Sequence, residues 1–172
     1  MVRENAWTGC DKKKINKVME FCEGYRQFIS SCKTERECAA RSIELAKEHG
    51  YKDLNEIIKK GGTLKAGDKV YACNMGKALV LFNVGREPLE NGMKILGAHI
   101  DSPRLDVKQN PLYQDEELVL LDTHYYGGIK KYQWTAIPLA LHGVVVLTDG
   151  KKINVVIGED LSLIHISEPT RR

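Results

Sequence analysis

The chain has 172 residues, 42% of them hydrophobic and 28% charged, with a formal net charge of +3. That length allows one domain with a core or parts of two, and so small a charge leaves no nucleic-acid or membrane footprint. No apolar stretch reaches membrane-spanning length, Met1 to Trp7 lacks the apolar centre of a secretory signal, and five cysteines without a C-x-x-C pair fit a reducing cytoplasm.

Asp11 is placed to cap a helix running to about residue 30. Ile15, Val18, Met19, Cys22, Tyr25 and Phe28 or Ile29 recur along it at spacings of three and four, which predicts a core-facing stripe. Thr34 and Glu37 form a capping box for a second helix carrying Ile43, Leu45 and Ala46, and Gly50 stops it. Cys22 and Cys38 fall in these helices and are expected to be small buried thiols, while Cys32 and Cys38 lack the partners of a zinc knuckle. A short helix over residues 54–59 ends at Gly61-Gly62, read as a flexible turn because no G-x-x-x-x-G-K-[ST] phosphate loop follows.

Residues 69–74 and 78–84 read as strands around Met75-Gly76-Lys77, and 86–92 as a loop. Residues 93–98 are short, mostly apolar and free of proline, and are expected to form a buried strand. Beyond Arg104 the texture changes. Residues 105–108 alternate, Asn110-Pro111 breaks the pattern, and 117–123, 139–147 and 152–157 are β-rich, the last two joined by the hairpin signal Asp149-Gly150. No helical pattern is visible between 105 and 160, so two structural units are expected to meet near Arg104.

The strand over 93–98 leads into His99-Ile100-Asp101-Ser102-Pro103-Arg104. Side chains alternate on a strand, so His99 and Asp101 project to one side if that geometry persists. A carboxylate so placed can orient an imidazole whose other nitrogen binds a metal. The spacing fits equally a histidine hydrogen-bonded at a strand end, because zinc sites normally need three or four protein ligands.

Three segments carry more than spacing: Ile95 to Leu105, Tyr125-Tyr126-Gly127-Gly128-Ile129-Lys130-Lys131-Tyr132-Gln133-Trp134, and Pro138 to Gly143. Together they resemble the aspartyl aminopeptidase family of two-metal zinc metalloaminopeptidases, its bacterial branch in particular, over about residues 15–160. The resemblance implies an α/β fold: the amino-terminal part of a mixed-sheet metallopeptidase domain over 1–104, then the start of an inserted β-rich dimerisation domain over 105–160. It implies hydrolysis of the amino-terminal residue of peptides, zinc as cofactor (cobalt or manganese also suit the ligand types), dimers built into a dodecamer, and a cytoplasmic location. In the mechanism the resemblance implies, two metals lower the pKa of a bound water, a glutamate takes its proton, and the metals polarise the scissile carbonyl.

By position, His99 resembles a ligand of one metal and Asp101 the active-site carboxylate that orients it. His124 and His142 match no metal position; His142 is expected to be a packed, hydrogen-bonded histidine. Tyr125 to Trp134 is expected to be an aromatic-rich structural turn rather than a substrate site. The bridging aspartate, the general-base glutamate, two carboxylate ligands and a second histidine of the family lie downstream of residue 160. Residues 161–172 do not continue the pattern and resemble translated adapter sequence, so they are expected to be a non-native tail in which His165 is no ligand. The chain alone is expected to be inactive and to expose apolar sheet edges. Two other readings stand beside the enzyme. One is a non-catalytic oligomerisation module. The other is a single-strand nucleic-acid binder using Tyr125, Tyr126, Tyr132 and Trp134, against which the low charge argues.

Overall fold

The computed structural model describes residues 4–159, which divide into two units between Ala98 and His99. The tail expected over 161–172 lies outside the described residues.

The first unit begins with α1 (Lys12–Ser31) and α2 (Glu35–Glu48). Asp11 caps α1 by accepting from the Lys14 amide at 2.7 Å. At α2 the capping box closes both ways: the Glu37 amide donates to Thr34 Oγ1 at 3.3 Å, and the Thr34 amide to Glu37 Oε2 at 3.0 Å. Its far end is a Schellman motif, with the Tyr51 amide on the Ala46 carbonyl and the Gly50 amide on that of Lys47.

A short parallel strand, β1 (Lys52–Asp53), leads into α3 (Leu54–Lys59). The double glycine after α3 has a structural purpose of its own. The Gly61 amide bonds the Ile58 carbonyl and the Gly62 amide that of Ile57, a second Schellman stop in which Gly61 takes φ +65°. A Cβ on Gly62 would lie 2.9 Å from Ile57 Cγ2, so this is a fitted helix end rather than a loose turn. β2 (Lys69–Asn74) and β3 (Ala78–Asn83) then pair antiparallel around Met75 and Gly76, both at positive φ. With β1 parallel to β2, the sheet is mixed, and α2 packs on it. The small core holds Cys32, Cys38, Ala39 and Ala46 from the helical side and Val70 and Tyr71 from β2.

The second unit is two antiparallel hairpins. β4 (Arg104–Asp115) pairs with β5 (Leu118–Tyr126), and β6 (Leu141–Val146) with β7 (Lys152–Ile157). Asp149 Oδ1 accepts from the Lys151 amide at 2.8 Å and shapes the β6–β7 turn, as Asp149-Gly150 predicts.

Several expectations are corrected. Residues 93–98 form no strand: a strand needs a hydrogen-bonding neighbour, and among the described residues none pairs with this run, leaving Leu96 fully exposed. The α1 stripe is only partly covered: Ile15, Val18 and Phe28 are half-buried while Met19, Tyr25 and Ile29 are exposed, because periodicity marks a face that wants cover without supplying the cover. Cys22 lies on that side of the helix and is exposed, whereas Cys38 is buried. Asn110-Pro111 does not end the strand; β4 runs through it with a register shift between Val107 and Leu112, where proline has no N–H to give the ladder. One helical turn, α4 (Lys131–Trp134), stands where no helix is expected. Among the described residues, no helix is long and apolar enough to cross a membrane.

Burial pushes the Cys38 thiol up to about 11, with Cys32 adding to the shift. Only the thiolate reacts, so iodoacetamide at pH 8 is expected to label Cys22 at least roughly tenfold faster than Cys38. Peptide mass spectrometry over time checks this, and equal rates contradict the buried placement.

Candidate functional site

The segment from His99 to Pro103 has no regular secondary structure and runs directly into β4. The first rung of β4 joins Arg104 to Tyr126, the last residue of β5. This register carries the end of one strand back to the segment that precedes the other.

His99 Nδ1 faces two oxygens of Asp101, the backbone carbonyl and Oδ1, each at 3.0 Å. Both are acceptors, so the single ring proton of a neutral imidazole belongs on Nδ1. That leaves the lone pair on Nε2, and the His99 side chain is 84% exposed. The other carboxylate oxygen, Asp101 Oδ2, accepts from Tyr126 Oη at 2.7 Å. The Tyr126 hydroxyl is the foremost influence holding the Asp101 carboxyl below the usual carboxylate range, followed by the backbone and, more weakly, by His99.

Tyr126 is itself supported. The Arg104 guanidinium lies 4.2 Å from the centroid of its ring, and Arg104 Nε donates to Asp106 Oδ1 at 2.7 Å. Gly127 follows at φ +75°, and a Cβ there would sit 3.4 Å from Pro103 Cα.

The pair expected to act together, His99 and Asp101, is therefore in contact, although an irregular segment rather than a strand brings it about. The other histidines are engaged differently. His124 stands opposite Asp106 in the β4–β5 register, its ring 5.5 Å from that of Tyr125. His142 Nε2 meets Glu159 Oε1 at 2.9 Å, which gives the half-buried histidine its hydrogen-bond partner. Sequence reasoning passed over Tyr126 as part of a structural turn. The available signal was the hairpin itself: closing β4 on β5 about Glu116-Glu117 sets Tyr126 against Arg104. Among the described residues, no group of three or more His, Cys, Asp or Glu is placed to hold a metal.

The family model for aminopeptidase I zinc metalloproteases (M18) matches residues 28–169. The chain belongs to this M18 family. The match runs past Asp160 into the segment expected to be a tail. A probable M18 family aminopeptidase 1 from Clostridium acetobutylicum is 57% identical over 157 residues, 91% of this chain and 34% of the relative. One from Thermotoga maritima is 42% identical over 163 residues, 92% of this chain and 34% of that relative. Among solved M18 structures, aminopeptidase I from Borrelia burgdorferi B31 superposes with a TM-score of 0.83 at 40% identity, over 92% of this chain and 38% of that one. Aminopeptidase I from Clostridium acetobutylicum gives 0.78 at 56% identity, over 94% and 36%. The chain thus spans about a third of the length of the curated M18 relatives it matches. The family resemblance and the mixed α/β fold class read from the sequence both hold.

Gly127 carries the close turn beside Pro103 at a φ that a side chain strains. Gly127→Ala is expected to lower the unfolding free energy by roughly 1 kcal/mol. Urea denaturation measures it; an unchanged midpoint would show that the turn is not held at positive φ.

Proposed function

We propose that these residues belong to a metalloaminopeptidase that removes the amino-terminal residue of peptides, with His99 a ligand of one of two zinc ions and Asp101 its orienting carboxylate. One observation carries the reading: Nδ1 faces two acceptors on a side chain that is otherwise largely exposed. That is the donor chemistry a zinc-bound histidine needs, a fixed tautomer with the second nitrogen available and its basicity raised by a carboxylate. The family name and the relatives' names support the same reading. When bound, the metal pair supplies a water of lowered pKa and polarises the scissile carbonyl.

The residues of this chain have narrower tasks. His99 offers Nε2 and keeps its proton on Nδ1. Asp101 accepts that proton's hydrogen bond and stays ionised, so the imidazole is not free to turn its donor side outward. The other ligands and the general base belong to other parts of the complete protein. Zinc is the cofactor of the reading, with cobalt or manganese compatible with imidazole and carboxylate donors. Peptide substrates, a dimer-built oligomer and a cytoplasmic location accompany it.

A second reading, a non-catalytic oligomerisation module, draws on the apolar side chains exposed along the first hairpin, among them Leu112 at 70% and Val119 at 76%. One comparison separates the two. The 172-residue chain alone is expected to hold no tight stoichiometric zinc and to leave an aminoacyl reporter substrate intact. The complete protein is expected to hold about two zinc ions per subunit and hydrolyse the reporter. In it, His99→Ala lowers activity by roughly 100-fold or more. A complete protein that neither retains metal nor hydrolyses the reporter overturns the enzyme reading, as does full activity in the H99A variant.

A further inference from the structure

His99 is too exposed for packing to hold its ring; its orientation rests on the hydrogen bonds at Nδ1. One of these, to the Asp101 backbone carbonyl, is set by the chain itself; the other is only as fixed as the Asp101 carboxylate, which rotates about its own bond to Cβ and is a third exposed, at 34%. The second carboxylate oxygen is where that rotation is stopped. Tyr126 Oη donates to Oδ2 at 2.7 Å across 25 residues of sequence, which leaves Oδ1 directed at His99.

The phenol, in contrast, is well anchored. Its backbone ends the β4–β5 ladder opposite Arg104, and the Arg104 guanidinium covers its ring at 4.2 Å. Arg104 is tied in turn to Asp106 at 2.7 Å. The positional information therefore runs from the hairpin, through the hydroxyl and the carboxylate, to the imidazole.

We infer that Tyr126 is a positioning residue for the metal-binding nitrogen of His99, acting through Asp101. Its importance for metal binding rests on the aminopeptidase reading of His99; its effect on the imidazole does not. The hairpin thus has a part in the metal site while contributing no ligand. Its hydroxyl holds the carboxylate in the orientation in which it accepts from Nδ1, which favours the proton there and the lone pair on Nε2.

Tyr126→Phe removes the hydroxyl and leaves the ring under Arg104. Its effect is read on the metal-free chain, labelled with 15N-histidine, by long-range proton–nitrogen correlation near pH 8, with His99 assigned through His99→Gln. In the parent, His99 is expected in the Nδ1–H form with well-separated ring-nitrogen shifts. In Y126F those shifts draw together as the Nε2–H form gains population, while His142, held by Glu159, does not move. Asp101→Asn is expected to produce the same convergence, and adding Y126F to it nothing further.

Unchanged His99 shifts in Y126F overturn the inference, and so does an equal effect in the D101N background. Movement of His142 with His99 overturns it too, since the hydroxyl would then be holding the fold rather than a side chain. In the complete protein, Y126F is expected to weaken zinc binding by roughly tenfold or more. A tautomer change without any metal binding in the parent would contradict the aminopeptidase reading alone. Zinc binding that Y126F leaves unaltered would contradict the positioning role alone.

Discussion

Asp101 is a carboxylate held between two donors of different strength and different mobility. On one oxygen it meets the phenol of Tyr126, a neutral donor anchored in a hairpin; on the other it meets an imidazole open to solvent. The stiff contact fixes the loose one. The carboxylate so held adds a second acceptor to the backbone carbonyl already at Nδ1, which favours the proton on Nδ1 and leaves the lone pair on Nε2. The ladder closes with Tyr126 opposite Arg104, and the chain turns tightly at Gly127 beside Pro103.

The first unit shows how far local rules carry a fold. Two Schellman stops, a capping box and an aspartate cap define its helices, each satisfying end groups that water would otherwise have to serve. The core they produce is small: two cysteines, two alanines, Val70 and Tyr71. Much of the apolar surface remains on the outside, Leu96 most of all. A chain that spans about a third of its M18 relatives is expected to carry faces whose cover lies elsewhere in such a protein.

What the sequence made legible is local in physical origin. The caps at Asp11 and Thr34, the glycine stops and the Asp149-Gly150 turn each depend on residues within a few positions of one another, so spacing suffices to find them. The rest depends on partners. An apolar run such as 93–98 declares a need for burial but not the strand that would pair with it, and here it has no regular secondary structure. The α1 stripe fails for the same reason. Asn110-Pro111 reads as a break in the sequence, yet a shift in register lets β4 continue past it.

The site divides along the same line. His99 and Asp101 are legible because a single residue, Ile100, separates them. Tyr126 is not, because its contact with Asp101 exists only once a hairpin has closed. Family membership adds what neither spacing nor this geometry contains, the expectation that a metal waits on the other side of the imidazole.

The most direct measurement is a crystal structure of the zinc-loaded complete protein with anomalous data at the zinc edge. The account predicts a zinc peak about 2.0–2.1 Å from His99 Nε2, with Nδ1 still on Asp101 and neither Asp101 oxygen in the coordination sphere. A peak on Nδ1, a zinc bound directly by Asp101, or a metal pair that leaves His99 aside would contradict it.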